Sequence, residues 1–315
     1  MQDDDPLVHI VVLNYNGKSH LEYCLPSILS TNYSNYEVVV VDNNSSDGSI
    51  EYVEENFTSV ELIQLDENRG WAGGNNVGIV HAREQDAGYV VLANNDIRVH
   101  PDWVWGAVKA AESDGTIGFV GFDVLGKVRP IPVREYESAC EEYEELSYEY
   151  IDEFVDGMAL FARTAVFDSI GLIDEDFFMY AEETDVEIRA EKAGYRRART
   201  NLPVWHYSSG TMEDMPLKAS YLGIRNHIRL ALKHQDPWGV LRRLGLLYYT
   251  GCNPFFKGDM QNRINARRRP RGIVFNFLLI TYCLLWNFAH LPETIKARHR
   301  DNRKINGHET MLRNE

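Results

Sequence analysis

Polar side chains follow four apolar runs in the first third of the chain, each near the point where the run ends. Asn14 follows the first run, Asp42 the second, Arg69 the third and Asn94–Asp96 the fourth. In an open α/β sheet the carboxyl ends of the strands lie along one edge, and ligands bind there. A single polar turn is ordinary, because Asn, Asp and Gly favour turns. Four such turns in the same structural place predict a ligand site.

The apolar runs predict the sheet that would position these residues. Their β-branched composition is typical of buried parallel strands, at 7–13, 37–41, 60–65 and 89–93. Between them, helical spacing of apolar residues predicts a helix at 19–30. Further helices are expected from a cap at Asp47 through Asn56, after the glycine-rich segment 68–78 to about Gln85, and from Pro101 to about Ser113. This alternation predicts an α/β fold.

The middle of the chain is more acidic. Residues 135–156 carry ten acidic side chains and predict a solvated loop or helix face. A strand and a short helix are predicted in 154–171. A further helix, which ends at the C-cap signal Gly194, places Val186, Ile188 and Ala190 toward packing.

Charge is distributed unevenly along the 315 residues. Residues 1–214 hold 41 acidic and 14 basic side chains, a net charge of −27, whereas residues 215–315 hold 6 and 18, a net charge of +12. A general nucleic-acid binder needs a basic footprint that this body lacks, so no nucleic-acid partner is expected. So acidic a surface also fits a halophilic source. The four cysteines are far apart, and the first residues do not resemble a signal peptide, which predicts a reduced, intracellular protein.

An apolar run at 272–291 lies within the basic region. Arginines precede it at 267–271, and Lys and Arg residues follow it up to Lys304. We predict a helix that lies in the membrane interface, because polar residues interrupt the run and basic clusters flank both of its ends. Residues 236–304 would then contact an anionic membrane surface at the cytoplasmic face. A transmembrane span and a plain buried helix are the alternatives.

Seven motifs, in order, resemble those of a known enzyme family. They are VVLNYNG (11–17), VVVVDNNSSDGS (38–49), NRGWAGGNNVG (68–78), LANNDI (92–97), FVDGMALFAR (154–163), DEDFFMYAEETDVEIRAEKAGYR (174–196) and VWHYSSGT (204–211). Together they resemble an inverting family 2 glycosyltransferase of the rhamnosyltransferase-like subgroup, over roughly residues 7–230. The resemblance implies a GT-A catalytic domain (Rossmann-like, with a mostly parallel sheet) at 1–214. A helical, membrane-associating region at 215–315 would follow.

The resemblance also implies a nucleotide-sugar donor and a divalent cation, Mg²⁺ or Mn²⁺. A departing diphosphate gains negative charge, which such a cation stabilises. The family's acidic metal motif falls on residues 94–96, where Asp96 would bind the metal and Asn95 would contact the ribose or a phosphate. His206 falls near the histidine that completes the metal shell in metal-dependent relatives. A core or acceptor-contact role is the alternative for His206.

Four further residues match positions that hold the donor. Asp42 matches the position that contacts the base or ribose, and Asn14 would lie beside it. Arg69 matches the loop that borders the nucleotide and would neutralise diphosphate charge. Arg225 would reach the diphosphate or belong to a basic helix face.

The family places its general base in an acidic pair that opens a helix. That pair is Glu182–Glu183 here, with Glu183 as the aligned base and Glu182 as the second candidate. Inversion needs such a base to deprotonate the attacking hydroxyl. The alternative is that acidic residues are simply favourable in the first turn of a helix.

The function implied is metal-dependent, inverting transfer of one hexose or deoxyhexose to a hydroxyl of a lipid-linked or growing glycan. A polyprenyl-phosphate sugar synthase, with the lipid phosphate as acceptor, is an alternative. A non-catalytic nucleotide-sugar-binding subunit of a glycosylation complex is another.

Overall fold

A computed structural model describes residues 5–127, 132–141, 145–207, 216–253 and 272–312. The strands in these ranges are β1 (Val8–Asn14), β2 (Tyr36–Asp42), β3 (Glu61–Gln64), β4 (Tyr89–Asn94), β5 (Ile97–Val99), β6 (Ile117–Lys127), β7 (Tyr148–Ile151), β8 (Ala159–Arg163) and β9 (Arg196–Tyr207). The helices are α1 (Lys18–Leu29), α2 (Ser49–Asn56), α3 (Gly70–Glu84), α4 (Trp103–Ser113), α5 (Val133–Glu141), α6 (Thr164–Ile170), α7 (Glu182–Lys192), α8 (Pro216–His234), α9 (Pro237–Cys252), α10 (Ile273–Ala289) and α11 (Leu291–Leu312).

The strands form one mixed sheet in the order β3-β2-β1-β4-β8-β6-β9-β5, with β7 paired to β9. The first four strands of this order are parallel to one another. Strand β8 is antiparallel to β4 and β6, while β6 and β9 are parallel. The predicted fold class, α/β with a Rossmann-like sheet, is confirmed.

The sheet is buried on both faces because its central strands carry apolar side chains in both directions. On β1, Ile10 and Val12 belong to the core shared with α1 and α4. Val11, between them, belongs to the core shared with α3, α6 and α7. Two-sided burial is why these strands are continuous apolar runs in the sequence.

Helix α3 begins at Gly70, earlier than expected, so most of the glycine-rich segment is helical. The glycines let this helix lie close to its neighbours. A Cβ at Gly74 would lie 2.3 Å from a Leu13 methyl group, and one at Gly78 would lie 2.3 Å from a Val11 methyl group. Helix α4, in contrast, begins at Trp103, two residues later than the start expected at Pro101.

The acidic middle segment is solvated where it is described. Helix α5 has no buried residue. Strand β7 pairs with β9, and three of the four residues of β7 are exposed. In α7, Val186 and Ala190 are buried as expected, and the helix ends before Gly194, whose φ is +91°.

The C-terminal helices pack on one another and on the sheet domain. Helix α10 lies against α8 and α9, while α11 contacts α6, α7 and α8. Among the described helices, none alone is long and apolar enough to cross a membrane. The pair Ile273–Ala289 and Leu291–Gly307, bent by 64°, meets that criterion by length and composition only. The boundary expected at 214/215, the end of the last motif at 208–211 and the arginines at 267–271 fall outside the described residues.

Candidate active site

Asn14 is the centre of a hydrogen-bond network at the carboxyl ends of β1, β2 and β4. Its side-chain amide donates to Asp42 Oδ2 at 2.8 Å and to the hydroxyls of Ser45 and Ser49 at 3.2 and 3.0 Å. The Ser45 N–H donates to the other oxygen of Asp42 at 2.7 Å. Asn14 and Asp42 are both buried, so this edge of the sheet is fixed by neutral donors around a carboxylate.

Asn95 joins this network from the turn between β4 and β5. Its amide donates to Asn14 Oδ1 at 2.7 Å. The contact requires a glycine at Gly17, because a Cβ there would lie 2.0 Å from the Asn95 Nδ2 atom. The structure therefore brings Asn14, Asp42 and Asn95 together, as the sequence predicted for the strand ends.

Asp96 and His206 meet on the neighbouring pair of strands. Antiparallel pairing sets Ile97 opposite His206, which brings the Asp96 Oδ1 and His206 Nε2 atoms to 3.3 Å. The two atoms lack hydrogen-bond alignment, and Asp96 Oδ1 is buried without a hydrogen-bond partner in the described part of the chain. An orphaned carboxylate oxygen beside an imidazole nitrogen fits a divalent cation as a shared ligand set. Groups of three or more His, Cys, Asp or Glu placed for a metal do not occur among the described residues. We call Asn14, Asp42, Asn95, Asp96 and His206 the sheet-edge site.

Arg69 lies apart from this network. Its guanidinium donates to both carboxylate oxygens of Glu175 at 2.9 Å, and both side chains are partly exposed. The N-terminal end of α3 also has a partner within the protein, because the Trp71 N–H donates to the Phe178 carbonyl at 2.7 Å. Gly70 has a φ of +70°, and a Cβ on it would lie 2.3 Å from the same carbonyl. Gly70 therefore serves close packing of α3 against the loop before α7.

The acidic pair Glu182–Glu183 opens α7, as the sequence predicted. Glu182 is buried, and burial followed by the neighbouring charge of Glu183 raises the pKa of Glu182 well above its usual value. Its Oε2 atom has no hydrogen-bond partner within the described ranges. Glu182 is thus favoured in its neutral form, directly beside Glu183.

Gly157 and Trp71 connect Glu183 to the sheet edge. A Cβ at Gly157 would lie 3.4 Å from the Cβ of Glu183 and 3.6 Å from the Trp71 ring. The Trp71 indole N–H donates to Asn94 Oδ1 at 3.1 Å. Glu183 and the Trp71 ring therefore both border the space beside the Gly157 Cα atom, and the Trp71 indole contacts Asn94, the residue that precedes Asn95.

The loop that leads into α7 has an unusual backbone. Phe178, Tyr180 and Ala181 have φ values of +64°, +77° and +69°, a region that non-glycine residues rarely adopt. Strain of this kind persists only where surrounding contacts impose it, and it concentrates at functional sites.

Arg225 and Asn226 of α8 impose the loop conformation. The Arg225 guanidinium donates to the carbonyls of Asp176 and Phe177 at 2.9 and 2.7 Å. The Asn226 amide donates to three carbonyls of the same loop, each at 2.8 Å. The structure thus places Arg225 against the loop before the acidic pair, whereas the direct diphosphate contact expected for it stays a prediction.

A group of paired charges, which the sequence reading did not identify, lies behind α7. We call it the buried ionic cluster, and it consists of Asp174, Asp185, Asp301, Arg189, Arg229 and Lys233. Lys233 Nζ lies 2.9, 2.8 and 2.9 Å from carboxylate oxygens of Asp174, Asp185 and Asp301. Arg189 pairs with Asp185 at 2.9 Å, and Arg229 pairs with Asp174 at 3.1 Å. The i,i+4 spacing of Asp185 and Arg189 was the one local signal, because the other partners are distant in sequence.

Burial would raise the pKa of Asp185, but Arg189 and Lys233 outweigh it and hold that pKa well below its usual value. The pKa of Asp174 is lowered in the same way, with Lys233 and Arg229 acting against burial. His234 Nε2 lies 2.7 Å from Asp185, yet burial lowers the pKa of His234. The cluster is therefore a balanced set of charges that joins α7, α8 and α11.

Comparison with known proteins gives a family match over half of the chain. The sequence profile of Glycosyl transferase family 2 matches residues 9–168. Glycosyltransferase AglE of Haloferax volcanii is 27% identical over 178 residues, which are 53% of this chain and 55% of that protein. The chain thus matches about half the length of AglE.

Two further matches cover more of the chain. The N-acetylglucosaminyl-diphospho-decaprenol L-rhamnosyltransferase of Mycobacterium tuberculosis is 25% identical over 264 residues, 73% of this chain and 85% of that protein. Among solved structures, the mannosyltransferase PcManGT of Pyrobaculum calidifontis, in complex with GDP-Man and Mn²⁺, has a TM-score of 0.54 at 18% identity. That match covers 95% of this chain and 88% of that one. The structural likeness establishes the GT-A fold.

Proposed function

Because the chain belongs to glycosyl transferase family 2, we propose that it moves one hexose or deoxyhexose from a nucleotide-sugar donor to a hydroxyl of a lipid-linked or growing glycan. The reaction is a single displacement that inverts the anomeric centre. The observation that carries this proposal is the pairing of Asp96 with His206 beside the Asn14 network, at the sheet edge where ligands bind in such folds.

Asp96 and His206 are the residues that would hold Mg²⁺ or Mn²⁺. The orphaned Asp96 Oδ1 atom and the neighbouring His206 Nε2 atom would supply two protein ligands. Cations of this kind often take only one or two protein carboxylates together with substrate phosphates. When bound, such a cation would neutralise charge that develops on the departing diphosphate. The GT-A relative PcManGT is crystallised with Mn²⁺ and GDP-Man, which supports this part of the proposal.

The donor lies along the network of Asn14. Asp42 accepts from the nucleoside through lone pairs that remain beside its bonds to Asn14 and Ser45. Asn95, fixed by Asn14, contributes an amide at the diphosphate. Arg69 reaches the diphosphate by leaving Glu175, to which it is bound on the surface.

Glu183 is the general base. Its carboxylate takes the proton of the acceptor hydroxyl while the hydroxyl oxygen bonds to the anomeric carbon and the bond to the diphosphate breaks. The proton thus ends on Glu183, and the electron pair leaves with the nucleotide. Glu182, whose burial favours the neutral carboxyl, stays protonated beside it, so two adjacent side chains take different states.

A lipid-linked acceptor is supported by the Mycobacterium tuberculosis relative, whose name specifies a decaprenol-linked substrate and the transfer of L-rhamnose. That relative is matched over most of its length, which extends the similarity beyond the nucleotide-binding half. Rhamnosyl transfer to a lipid diphosphate-linked sugar is accordingly the first reaction to test.

The test is nucleotide release and product formation by the full-length protein. The donors are UDP-, GDP- and dTDP-activated hexoses and deoxyhexoses, each with Mn²⁺ or EDTA, and the acceptors are polyprenyl-diphosphate-linked sugars. We expect Glu183→Gln to lower transfer by about 10²- to 10⁴-fold while donor affinity is unchanged. Glu149→Gln, at an exposed glutamate of β7, is the matched control. The anomeric configuration of the product, read by NMR, reports inversion.

Each other outcome assigns a different function. Unchanged transfer to a hydroxyl in Glu183→Gln would remove Glu183 as the base. A polyprenyl phosphate arrives already ionised and needs no base, so transfer to it that survives Glu183→Gln would indicate a polyprenyl-phosphate sugar synthase. Donor binding without turnover, for any acceptor, would indicate a non-catalytic nucleotide-sugar binder.

A further inference from the structure

Helix α10 has polar side chains on its buried face and apolar side chains on its exposed face, the reverse of a surface helix in water. Its buried residues are Asn276, Ile280, Cys283 and Asn287, which share one face. The Asn276 amide donates to the Gly251 carbonyl at 2.7 Å, and the Asn287 amide donates to the Arg225 carbonyl at 2.9 Å. The asparagines that interrupt the apolar run therefore point into the protein.

The opposite face of α10 is apolar and exposed. It presents Val274, Phe277, Leu278, Tyr282, Leu285 and Phe288. Val274 is 73% exposed and Phe288 is 74% exposed. An amphipathic helix in water turns its apolar face inward, so this arrangement fits an apolar environment outside the protein.

Helix α9 packs beside α10 and also has exposed apolar side chains. It packs on α10 through the ring contact of Tyr248 with Phe277, at 5.4 Å between centroids. Trp238, which is 79% exposed, lies on its outer side with Leu241 and Tyr249. We call the exposed side chains of α9 and α10 the apolar face. Its Trp and Tyr residues are of the kind that concentrates at membrane interfaces.

Exposed basic side chains lie on α9 and α11, both of which contact α10. Arg242 is exposed on α9 among Trp238, Leu241 and Tyr249. On α11, Lys296, His299 and Arg303 share one helix face and line a surface concavity with Asn302 and Asn306. These cations complement anionic lipid headgroups, whereas the body at 1–214, with its net charge of −27, would be repelled by them.

We propose that the apolar face docks on an anionic lipid bilayer, with α9 and α10 lying in the interface and the basic side of α11 on the headgroups. Helix α10 has 17 residues, about 25 Å of helix, against a hydrocarbon core of about 30 Å. Its inner face is bound to α8, which carries Arg225, Arg229 and Lys233. A spanning orientation would draw those charges into the hydrocarbon, whereas an interfacial one leaves them in the protein.

A second copy of the chain fits this surface less well. A two-fold dimer would bring the same patch against itself and would bury the Arg242 guanidinium of each copy within an apolar contact. Docking does not depend on the transfer reaction, so it can be tested without a sugar donor.

The experiment is flotation of the full-length protein with vesicles of phosphatidylcholine, alone or with 30% phosphatidylglycerol. Leu278→Glu combined with Leu285→Glu should lower the partition coefficient at least tenfold on both vesicle types. Each substitution places a carboxylate where an apolar side chain would enter the bilayer. Trp105→Glu combined with Val133→Glu, at exposed apolar residues of the sheet domain, adds the same charge and is the control. It should change partition far less.

A second pair of variants measures the electrostatic contribution to vesicle binding. Lys296→Gln and Arg303→Gln should each lower binding to the anionic vesicles about fivefold, with no effect on neutral ones. Thermal unfolding and size-exclusion chromatography with light scattering accompany every variant. The proposal is overturned if the wild-type protein does not float, if the control loses binding equally, or if the Leu278→Glu, Leu285→Glu pair converts a dimer in solution into a monomer. The last result would assign the apolar face to a second copy.

Discussion

Two groups of buried carboxylates, one in the buried ionic cluster and one in the sheet-edge site, differ in the side chains that face them. In the buried ionic cluster, Asp174 and Asp185 are each bound by two cationic side chains of the chain itself. In the sheet-edge site, Asp42 is bound by an asparagine amide and a backbone N–H, and Asp96 faces a histidine. Both groups are buried, so the same residue type is compensated in one place and left uncompensated in the other.

The difference separates stability from function. A buried charge that is paired and hydrogen-bonded is tolerated, whereas an unpaired one costs free energy until an external partner compensates it. The cations of the buried ionic cluster hold α8 and α11 on α7. The sheet-edge site lacks such cations among the described residues, and we propose that the donor and its metal supply the missing charge.

The largest effect should come from removing a cation of the buried ionic cluster. Lys233→Met leaves three buried aspartates with two arginines, and we expect a loss of about 3–5 kcal/mol in the free energy of unfolding. In a thermal scan this corresponds to a fall of about 10 °C in Tm. Lys109→Met, at an exposed lysine of α4, should change stability by less than about 0.5 kcal/mol. A loss below 1 kcal/mol for Lys233→Met would mean that the cluster does not hold the helices.

Removing the charge of Asp96 at the sheet-edge site should lower activity without lowering stability. Asp96→Asn should lower metal-stimulated transfer at least about 100-fold, since ligand loss exceeds the effect of outer-shell changes. Stability should be unchanged or raised, because a buried carboxylate becomes neutral. Calorimetric titration with Mn²⁺ and a thermal scan measure both. Asp66→Asn on the surface is the control, and full Mn²⁺ affinity in Asp96→Asn would contradict the metal assignment.

The smallest effect is the pH dependence of stability. The pKa of His234 is lowered in the folded protein, so the unfolded chain takes up a proton first as the pH falls, and stability present above about 6.5 is then lost. The lowered pKa values of Asp174 and Asp185 give a second loss in more acidic solution, below about 3.8. Because the raised pKa of Glu182 acts in the opposite direction above about 4.5, denaturant unfolding between pH 8 and pH 3 is compared between the protein and His234→Gln. His234→Gln should reduce the first step and leave the second.

The sheet and its polar edge could be predicted because their signals are local. Continuous β-branched runs mark strands buried on both faces, and the residues after them meet at one edge whatever the rest of the chain does. The end of α3 was predicted, but its start at Gly70 was missed because glycine lowers helix propensity. Its close packing against Val11 and Leu13 is a tertiary reason that no local pattern displays.

Other features depend on distant partners. Arg69 and Glu175 are 106 residues apart, and Asp174 and Lys233 are 59 apart, so neither pair could be read from spacing. The apolar run of α10 was identified, but the sequence did not reveal that Asn276 and Asn287 face inward. The roles of Glu183, His206 and Arg225, together with the halophilic source, stay predictions.

The buried ionic cluster, which joins α11 to α7, also limits how this protein can be made in soluble form. Cutting the chain near residue 214 would remove Arg229, Lys233 and Asp301, leaving Asp174 and Asp185 beside Arg189 alone. It would also remove Arg225 and Asn226, which hold the carbonyls of the loop before Glu182. A shortened catalytic fragment should therefore express poorly. Replacing outward apolar residues of α10 with polar ones, in the intact chain, is the better route to material for crystallisation.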